Sequence, residues 1–218
     1  MPEDRLPASP GGVRIDHTVT SGTFSLDGGT WEVDNNVWVV GDDAECVVID
    51  APHDAAPILE VVGGRRVAAI LLTHAHDDHV TAVGDLVAAT GATAYLHPED
   101  RVVWDLSQQG SPGGELADGD VFTVGDVEVR VLHTPGHTPG ACCFFVPQLG
   151  VVFTGDTLFH GGPGATGRSH SDFPTIVASI GDSLLTLPDE TVVLTGHGDP
   201  TSIGDERPHL QEWVDRGH

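Results

Sequence analysis

Lysine is absent from this chain, and cations of any kind are scarce. Its 218 residues carry nine basic side chains, all of them arginine, against 33 acidic ones, which gives a formal net charge of −24. Such a surface repels nucleic-acid phosphates and anionic lipids. The composition therefore argues against nucleic-acid and membrane partners, and an anionic ligand would find few cations to bind.

Cysteine is also scarce, and long apolar runs are missing. Cys46, Cys142 and Cys143 are too few for a disulfide framework, so we expect buried free thiols. No stretch approaches the roughly 20 apolar residues that span a membrane, and the start of the chain lacks the charged and apolar regions of a secretory signal. We expect a cytoplasmic protein with a flexible segment at residues 1–12 and a single domain over residues 13–218.

Strand-like and helix-like segments alternate along the chain. The stretches "NNVWVVG", "CVVIDAP" and "VAAILLTH" are rich in β-branched residues and predict strands, the last of them fully buried. "DAAPILEVVGG" and "VTAVGDLVAATG" have apolar residues at helical spacing and end on glycine. A strand-rich half followed by helices, then the same again, predicts two packed sheets with helices outside.

One segment, "HAHDDH" at residues 74–79, concentrates side chains that bind metals. It follows the buried strand directly and precedes a helix, so His74, His76, Asp78 and His79 come together where the chain turns. His74 and His76 would point the same way in extended backbone. Imidazole and carboxylate groups at this spacing are typical of a metal site.

Three further ligands occur in glycine turns, each after a predicted strand. "PGHTPG" offers His137, "TGDT" offers Asp156 and "TGHGD" offers His197. A side chain at a strand end can reach a metal only if the backbone bends sharply and approaches closely, and glycine permits both. We interpret these turns as ligand holders.

The ordered motifs HAHDDH, PGHTPG, TGDT and TGHG resemble those of the metallo-β-lactamase superfamily over nearly the whole chain. The resemblance implies an α+β fold, the αββα sandwich, with a binuclear metal site between the loop ends of the two sheets. The first metal would be held by His74, His76 and His137, and the second by Asp78, His79 and His197. Asp156 would bridge the two metals, and Asp50 in "VVIDAP" matches an aspartate that supports the site from behind.

Within this superfamily, "FTGDTLF" and "GRSHSDF" look like glyoxalase II and its short relatives. The loop here is longer than the family pattern, and the helical domain with which glyoxalase II binds glutathione has no counterpart in the 218 residues. We expect the loop to carry substrate contacts, made by His160, Arg168 and His170. For Arg168 the alternative is an ion pair, for example with Asp172, that only fixes the loop.

The resulting functional hypothesis is a thioester hydrolase. Two close divalent cations supply hydroxide from a bridging water, and Asp78 and Asp156 would be the catalytic carboxylates. The ligand set suits two zinc ions, with iron or manganese as alternatives. The expected partner is a small thioester or thiol conjugate, and the sequence allows a homodimer.

Three other functions fit the same motifs. A persulfide dioxygenase would use one iron and leave Asp78 without a metal. A lactonase or β-lactamase-like hydrolase would use the same binuclear site. A domain of the diiron flavoprotein type would bind metals without hydrolysis, although such domains usually carry glutamate where this chain has His76.

Overall fold

A computed structural model describes residues 6–217. Its first sheet has six strands in the order of the chain. The first three strands run antiparallel, and the third to sixth run parallel. These strands are β1 (Arg14–Leu26), β2 (Gly29–Gly41), β3 (Glu45–Ile49), β4 (Arg66–Leu71), β5 (Ala94–Leu96) and β6 (Gly114–Glu115).

The second sheet also has six strands, in the order β14-β13-β10-β9-β8-β7. They are β7 (Val121–Val124), β8 (Val127–His133), β9 (Cys142–Val146), β10 (Val151–Gly155), β13 (Val192–Thr195) and β14 (Thr201–Ser202). Strands β10 and β13 are parallel, and the other neighbours are antiparallel. A separate two-stranded ribbon consists of β11 (Leu158–Phe159) and β12 (Gly162–Pro163).

The helices are short, and their ends follow local sequence signals. They are α1 (Ala55–Val62), α2 (Asp77–Val80), α3 (Val83–Thr90), α4 (Arg101–Ser107), α5 (Phe173–Ser179), α6 (Ile203–Glu206) and α7 (Leu210–Arg216). Asp54 caps the start of α1, and Gly63 ends it in the left-handed conformation that glycine adopts without strain. Asp172 caps α5 by accepting a hydrogen bond from the Thr175 amide.

Three clusters of buried side chains define four layers. Trp38, Phe144 and Phe153 belong to the cluster between the two sheets. The outer face of the first sheet packs on α1, α3 and α4, and the outer face of the second packs on α5 and α7. The predicted αββα sandwich is therefore confirmed. Truncation of a side chain such as Phe144 to alanine is expected to cost about 3–5 kcal/mol, since a cavity would remain in the inner layer.

The segment before β1 contacts the second sheet. The Ser9 hydroxyl and the Gly11 amide both donate to the carboxylate of Asp126, in the turn between β7 and β8. Residues 1–5 of the segment that we predict to be flexible lie outside the described residues, as does residue 218 of the predicted domain. All three cysteines are buried free thiols, as predicted. Among residues 6–217, no helix has the length and apolar character needed to cross a membrane.

The strand directions explain where the candidate ligands meet. Strands β3 and β4 are parallel, and β8, β10 and β13 share one direction in the other sheet. Asp50 follows β3, His74 follows β4, and His137, Asp156 and His197 follow β8, β10 and β13. The carboxyl ends of five strands therefore deliver these side chains to one edge of the sandwich.

Candidate metal centre

The HAHDDH segment lies at this edge with all four of its predicted ligands buried. The sequence predicts a helix only after this segment, but α2 already begins at Asp77. Asp78 and His79 therefore lie within the first turn of α2. The Asp100 carboxylate accepts hydrogen bonds from the Ala75 amide at 2.7 Å and the Gly140 amide at 2.6 Å. Asp100 thereby joins the HAHDDH segment to the PGHTPG turn.

The first ligand group consists of three histidines. Nδ1 of His76 lies 3.1 Å from Nε2 of His74 and 3.0 Å from Nε2 of His137. One nitrogen of each ring thus faces a common point, within the separation that a single ion requires.

The second ligand group consists of Asp78, His79 and His197. Oδ2 of Asp78 lies 3.2 Å from Nε2 of His197 and 3.6 Å from Nε2 of His79. The two histidine nitrogens are 3.3 Å apart. These three atoms form a second convergent set beside the first.

Asp156 lies between the two groups. Its Oδ1 is 3.3 Å from Nε2 of His79, and its Oδ2 is 3.5 Å from Nε2 of His197 and 3.6 Å from Nε2 of His137. Oδ1 is buried without a hydrogen-bond partner among the described residues. A buried carboxylate oxygen of this kind needs a cation or a donor. Asp156 is placed to contact ions in both groups.

The outward-facing nitrogens of four histidines are fixed by hydrogen bonds. Nδ1 of His79 lies 2.8 Å from Oδ2 of Asp50, the residue predicted to support the site. Asp50 also accepts from the Thr73 amide and hydroxyl, and this hydroxyl lies 3.0 Å from Nδ1 of His74. Nδ1 of His137 and Nδ1 of His197 contact the carbonyls of Ala165 and Asp34. Such contacts orient a ring and leave its other nitrogen free to bind a metal.

The glycines before His137 and His197 lie in sharp, closely packed turns, as the sequence predicts. Gly136, before His137, has φ of 131°, and a Cβ there would overlap the backbone of Ile176. A Cβ on Gly196, before His197, would lie 2.5 Å from Oδ1 of Asp156. These two positions therefore require glycine because no side chain fits between the turn and its neighbours.

Electrostatics differ between the two groups. Burial lowers the pKa of His74 well below its ordinary value and that of His76 to about 3, and neighbouring imidazoles add to this effect. Burial also disfavours charge on His79 and His197. For these two residues, however, the nearby carboxylates of Asp78 and Asp156 have the larger effect. They raise the pKa of His79 well above its ordinary value and that of His197 to about 10. The first group offers neutral lone pairs, and the second attracts positive charge.

The residues present fit divalent metal ions. Two sets of converging nitrogen and oxygen atoms share a carboxylate with an unpartnered oxygen, and the imidazoles are oriented from behind. Nitrogen-rich ligands with carboxylates suit zinc, iron or manganese. The site is a metal centre of histidine and aspartate ligands.

A pocket of about 240 Å³ opens onto both groups. Its outer wall is formed by Phe24 and Trp31 from the β1–β2 hairpin and by Arg168, whose guanidinium stacks 3.9 Å above the Trp31 ring. At the hairpin turn, Asp27 accepts hydrogen bonds from the amide and hydroxyl of Ser169. The hairpin and the loop after β12 therefore close the pocket together.

Of the three predicted substrate contacts, the structure brings only Arg168 to this pocket. Arg168 stacks on Trp31, while Asp172 caps α5. His160 is exposed between β11 and β12, where the neighbouring Gly161 amide contacts Glu206. His170 is exposed in a left-handed conformation, and neither histidine lines the pocket. The geometry gives no support to substrate contacts by these two histidines.

Several contributors were not identified from the sequence. Asn35 contacts Asp78, and His53 contacts Asn35. Asp100 joins two ligand turns, and Phe24 and Trp31 line the pocket. The paired asparagines in "DNNVWVV" directly precede an apolar run and begin the buried part of β2, and two adjacent amides at such a position are a signal that the sequence offers.

This chain is similar to known proteins of one metal-dependent superfamily. The family model of the metallo-β-lactamase superfamily matches residues 30–197. The probable metallo-hydrolase YqgX of Bacillus subtilis is 34% identical over 187 residues, which cover 77% of this chain and 88% of that protein. The hydroxyacylglutathione hydrolase GloC of Haemophilus influenzae is 31% identical over 182 residues, covering 76% and 86%.

A solved structure of a related protein shares this fold. The crystal structure of TTHA1623 in a di-iron-bound form superposes with a TM-score of 0.72 at 34% identity, covering 86% of this chain and 96% of that one. Fold and site together define a metallo-hydrolase architecture with a histidine and aspartate metal centre. The chain belongs to the metallo-β-lactamase superfamily.

Proposed function

We propose that this protein hydrolyses small acyl-thiol conjugates at a binuclear metal centre. In that reaction water adds to the acyl carbon and the C–S bond breaks, giving a carboxylate, a thiol and a proton. The observation that supports the proposal most is the pair of ligand groups joined by Asp156 at the floor of one pocket. The similarity to GloC, whose name is hydroxyacylglutathione hydrolase, supports the thioester class.

The ligand groups would hold two divalent cations, with zinc as the ion that suits them best. His74, His76 and His137 would hold one, Asp78, His79 and His197 the other, and Asp156 would contact both. Bound there, the cations would supply a nucleophile from water at neutral pH and polarise the acyl carbonyl. Asp78 lines the pocket. Burial raises the pKa of its carboxyl group, but the effects of His79 and His197 are larger and lower this pKa to about 2. Asp78 thus stays ionised and can orient a water by accepting a hydrogen bond.

The pocket wall favours a substrate with both apolar and anionic parts. Phe24 and Trp31 offer aromatic surface to an acyl or thiol chain. Arg168 is one of nine cations in the chain, and the face of Trp31 holds its guanidinium beside the pocket. A carboxylate on the substrate would be attracted to it. We infer that Arg168 selects acyl-thiol conjugates that carry a carboxylate.

The reaction class is tested by a panel of thioesters, lactones and persulfides, assayed with the zinc-loaded and the iron-loaded protein. We expect turnover of thioesters with two metals bound per chain. Oxidation of a persulfide by the iron-loaded protein, without thioester turnover, would refute the hydrolase and support the dioxygenase. Turnover confined to lactones would refute the thioester class.

The role of Arg168 is tested by Arg168→Ala, with Arg130→Ala as the matched control. Both variants lose one cation, but Arg130 is an exposed residue of β8 in an ion pair with Glu128. We expect Arg168→Ala to raise KM for a carboxylate-bearing thioester about tenfold or more and to leave metal content unchanged. An unchanged KM together with a lower Tm would show that Arg168 only fixes the loop.

A further inference from the structure

Two neighbouring asparagines of β2 lie against the second ligand group. Asn35 is fully buried, and its Nδ2 donates to Oδ2 of Asp78 at 3.0 Å. The same nitrogen lies 3.3 Å from Nε2 of His79 and 3.4 Å from Nε2 of His197. The side-chain amide of Asn35 therefore faces all three ligand atoms of the second group. Burying a polar side chain without such contacts would lower the stability of the fold.

Asn36 acts on the turn that carries His197. Its Nδ2 donates to the carbonyls of Thr195 at 3.1 Å and Gly198 at 3.0 Å, and its backbone amide donates to the Gly196 carbonyl at 2.8 Å. These three bonds fix the turn on both sides of the ligand, and the ring itself contacts the carbonyl of the residue before Asn35.

Each asparagine is in turn held by a histidine. Nε2 of His53 lies 2.7 Å from Oδ1 of Asn35, and Nε2 of His17 lies 2.9 Å from Oδ1 of Asn36. The His17 ring stacks on Trp38 with centroids 4.2 Å apart. With the amide oxygen engaged by a ring nitrogen, the NH₂ group of Asn35 faces the ligand atoms and that of Asn36 faces the carbonyls of the His197 turn. The two pairs repeat the same arrangement at successive residues.

The contacts of these asparagines differ from those that support the first group. His74 and His137 are oriented by Thr73 and the Ala165 carbonyl. We propose that the pairs His53–Asn35 and His17–Asn36, here called the asparagine brace, are positioning elements that set the affinity of the second metal position independently of the first. This inference depends on the proposed binuclear centre.

The test measures zinc binding by competition with a chromophoric chelator, resolving the first and second equivalents. The variants are Asn35→Ala and Asn36→Ala, with Thr30→Ala as the control on an exposed position of the same strand. We expect the second equivalent to bind about 10- to 100-fold more weakly in both asparagine variants, as is typical when a group that orders a metal ligand is lost. The first equivalent and the control should match the wild type.

Rescue at His53 separates positioning from general stability. His53 is only half-buried, so His53→Ala is expected to fold even if Asn35→Ala does not. It should weaken the second equivalent, and His53→Gln, which restores an N–H donor, should recover part of the loss. The d–d absorption of cobalt bound at the second position should shift in His53→Ala and return toward the wild-type spectrum in His53→Gln.

Three results would overturn these inferences in different ways. Wild-type affinities for both equivalents in Asn35→Ala and His53→Ala would refute the brace and leave the binuclear function standing. Equal weakening of both equivalents would show a structural role and likewise refute it. A wild-type protein that binds one equivalent at saturation would refute the binuclear centre itself, before any variant is measured.

Discussion

The two ligand groups of the metal centre lie side by side and share Asp156, yet their surroundings differ. The first is made of imidazoles alone, and burial keeps the pKa of His74 and His76 low. In the second, burial is opposed by carboxylates, which raise the pKa of His197 to about 10. Because both groups are desolvated, neighbouring charge, and not depth of burial, accounts for the difference in imidazole pKa between them.

Replacing the shared carboxylate should break both groups at once. Asp156→Asn keeps the volume of the side chain but removes the negative charge that contacts His79, His137 and His197. We expect weaker binding of both metals and a loss of kcat/KM by orders of magnitude. Metal content and kinetics are compared with Asp199→Asn, an exposed aspartate of the His197 turn. Retention of one metal at full affinity would mean that Asp156 serves a single group.

Removing Asp78 should break only the second group. Asp78→Ala is expected to release one metal of two and to lower turnover by orders of magnitude, while the first group stays intact. Its control is Asp77→Ala, which removes a neighbouring carboxylate that accepts hydrogen bonds from the Ser25 and Asp78 amides but belongs to neither ligand group. Activity that survives in Asp78→Ala, with one iron bound, would favour the mononuclear dioxygenase.

A smaller effect is expected from the residue behind the ligands. Asp50 contacts His79 directly but reaches His74 only through Thr73. Asp50→Asn should therefore weaken the second equivalent of zinc by about 10- to 100-fold and the first by less. Competition with a chelator measures both steps. A larger loss at the first equivalent would reverse the proposed difference between the groups.

Cys143 is a buried titratable residue outside both ligand groups, so it reports the effect of burial on a pKa apart from the metal centre. No effect of its replacement on metal affinity is expected. Burial raises the pKa of this thiol from 9.0 to about 11, against the lowering effect of Thr134. The folded protein holds this proton more tightly than the unfolded chain, so the contribution to stability is complete below pH 9 and is lost between about pH 9 and 11. The free energy of unfolding should fall by at most about 1.4 kcal/mol per pH unit for this thiol.

Urea unfolding of the wild type and Cys143→Ala, at about pH 8 and 10.5, measures the contribution of Cys143. The variant should lose less stability than the wild type as the pH rises. Identical pH dependence in the two proteins would show that burial does not act on this thiol as described.

Much of the architecture could be predicted because its signals are local in the sequence. Apolar strands, glycine helix ends and the HAHDDH segment each depend on a few adjacent residues. The ordered ligand motifs then identified the superfamily, and the family model agrees. The flanking glycines of His137 and His197 also carried usable information, since close backbone approach requires that residue type.

The partners of those ligands depended on the tertiary structure. Asn35 is 43 residues from Asp78 in the chain, and Asp100 is 25 residues from Ala75 and 40 from Gly140. Nothing in the local sequence distinguishes His53, which contacts Asn35 behind the second ligand group, from His160 and His170, which lie outside the pocket. The sequence by itself determined which side chains are candidate metal ligands, because ligand chemistry is a property of residue type. Which groups hold and surround them was decided only when the carboxyl ends of five strands met at one edge.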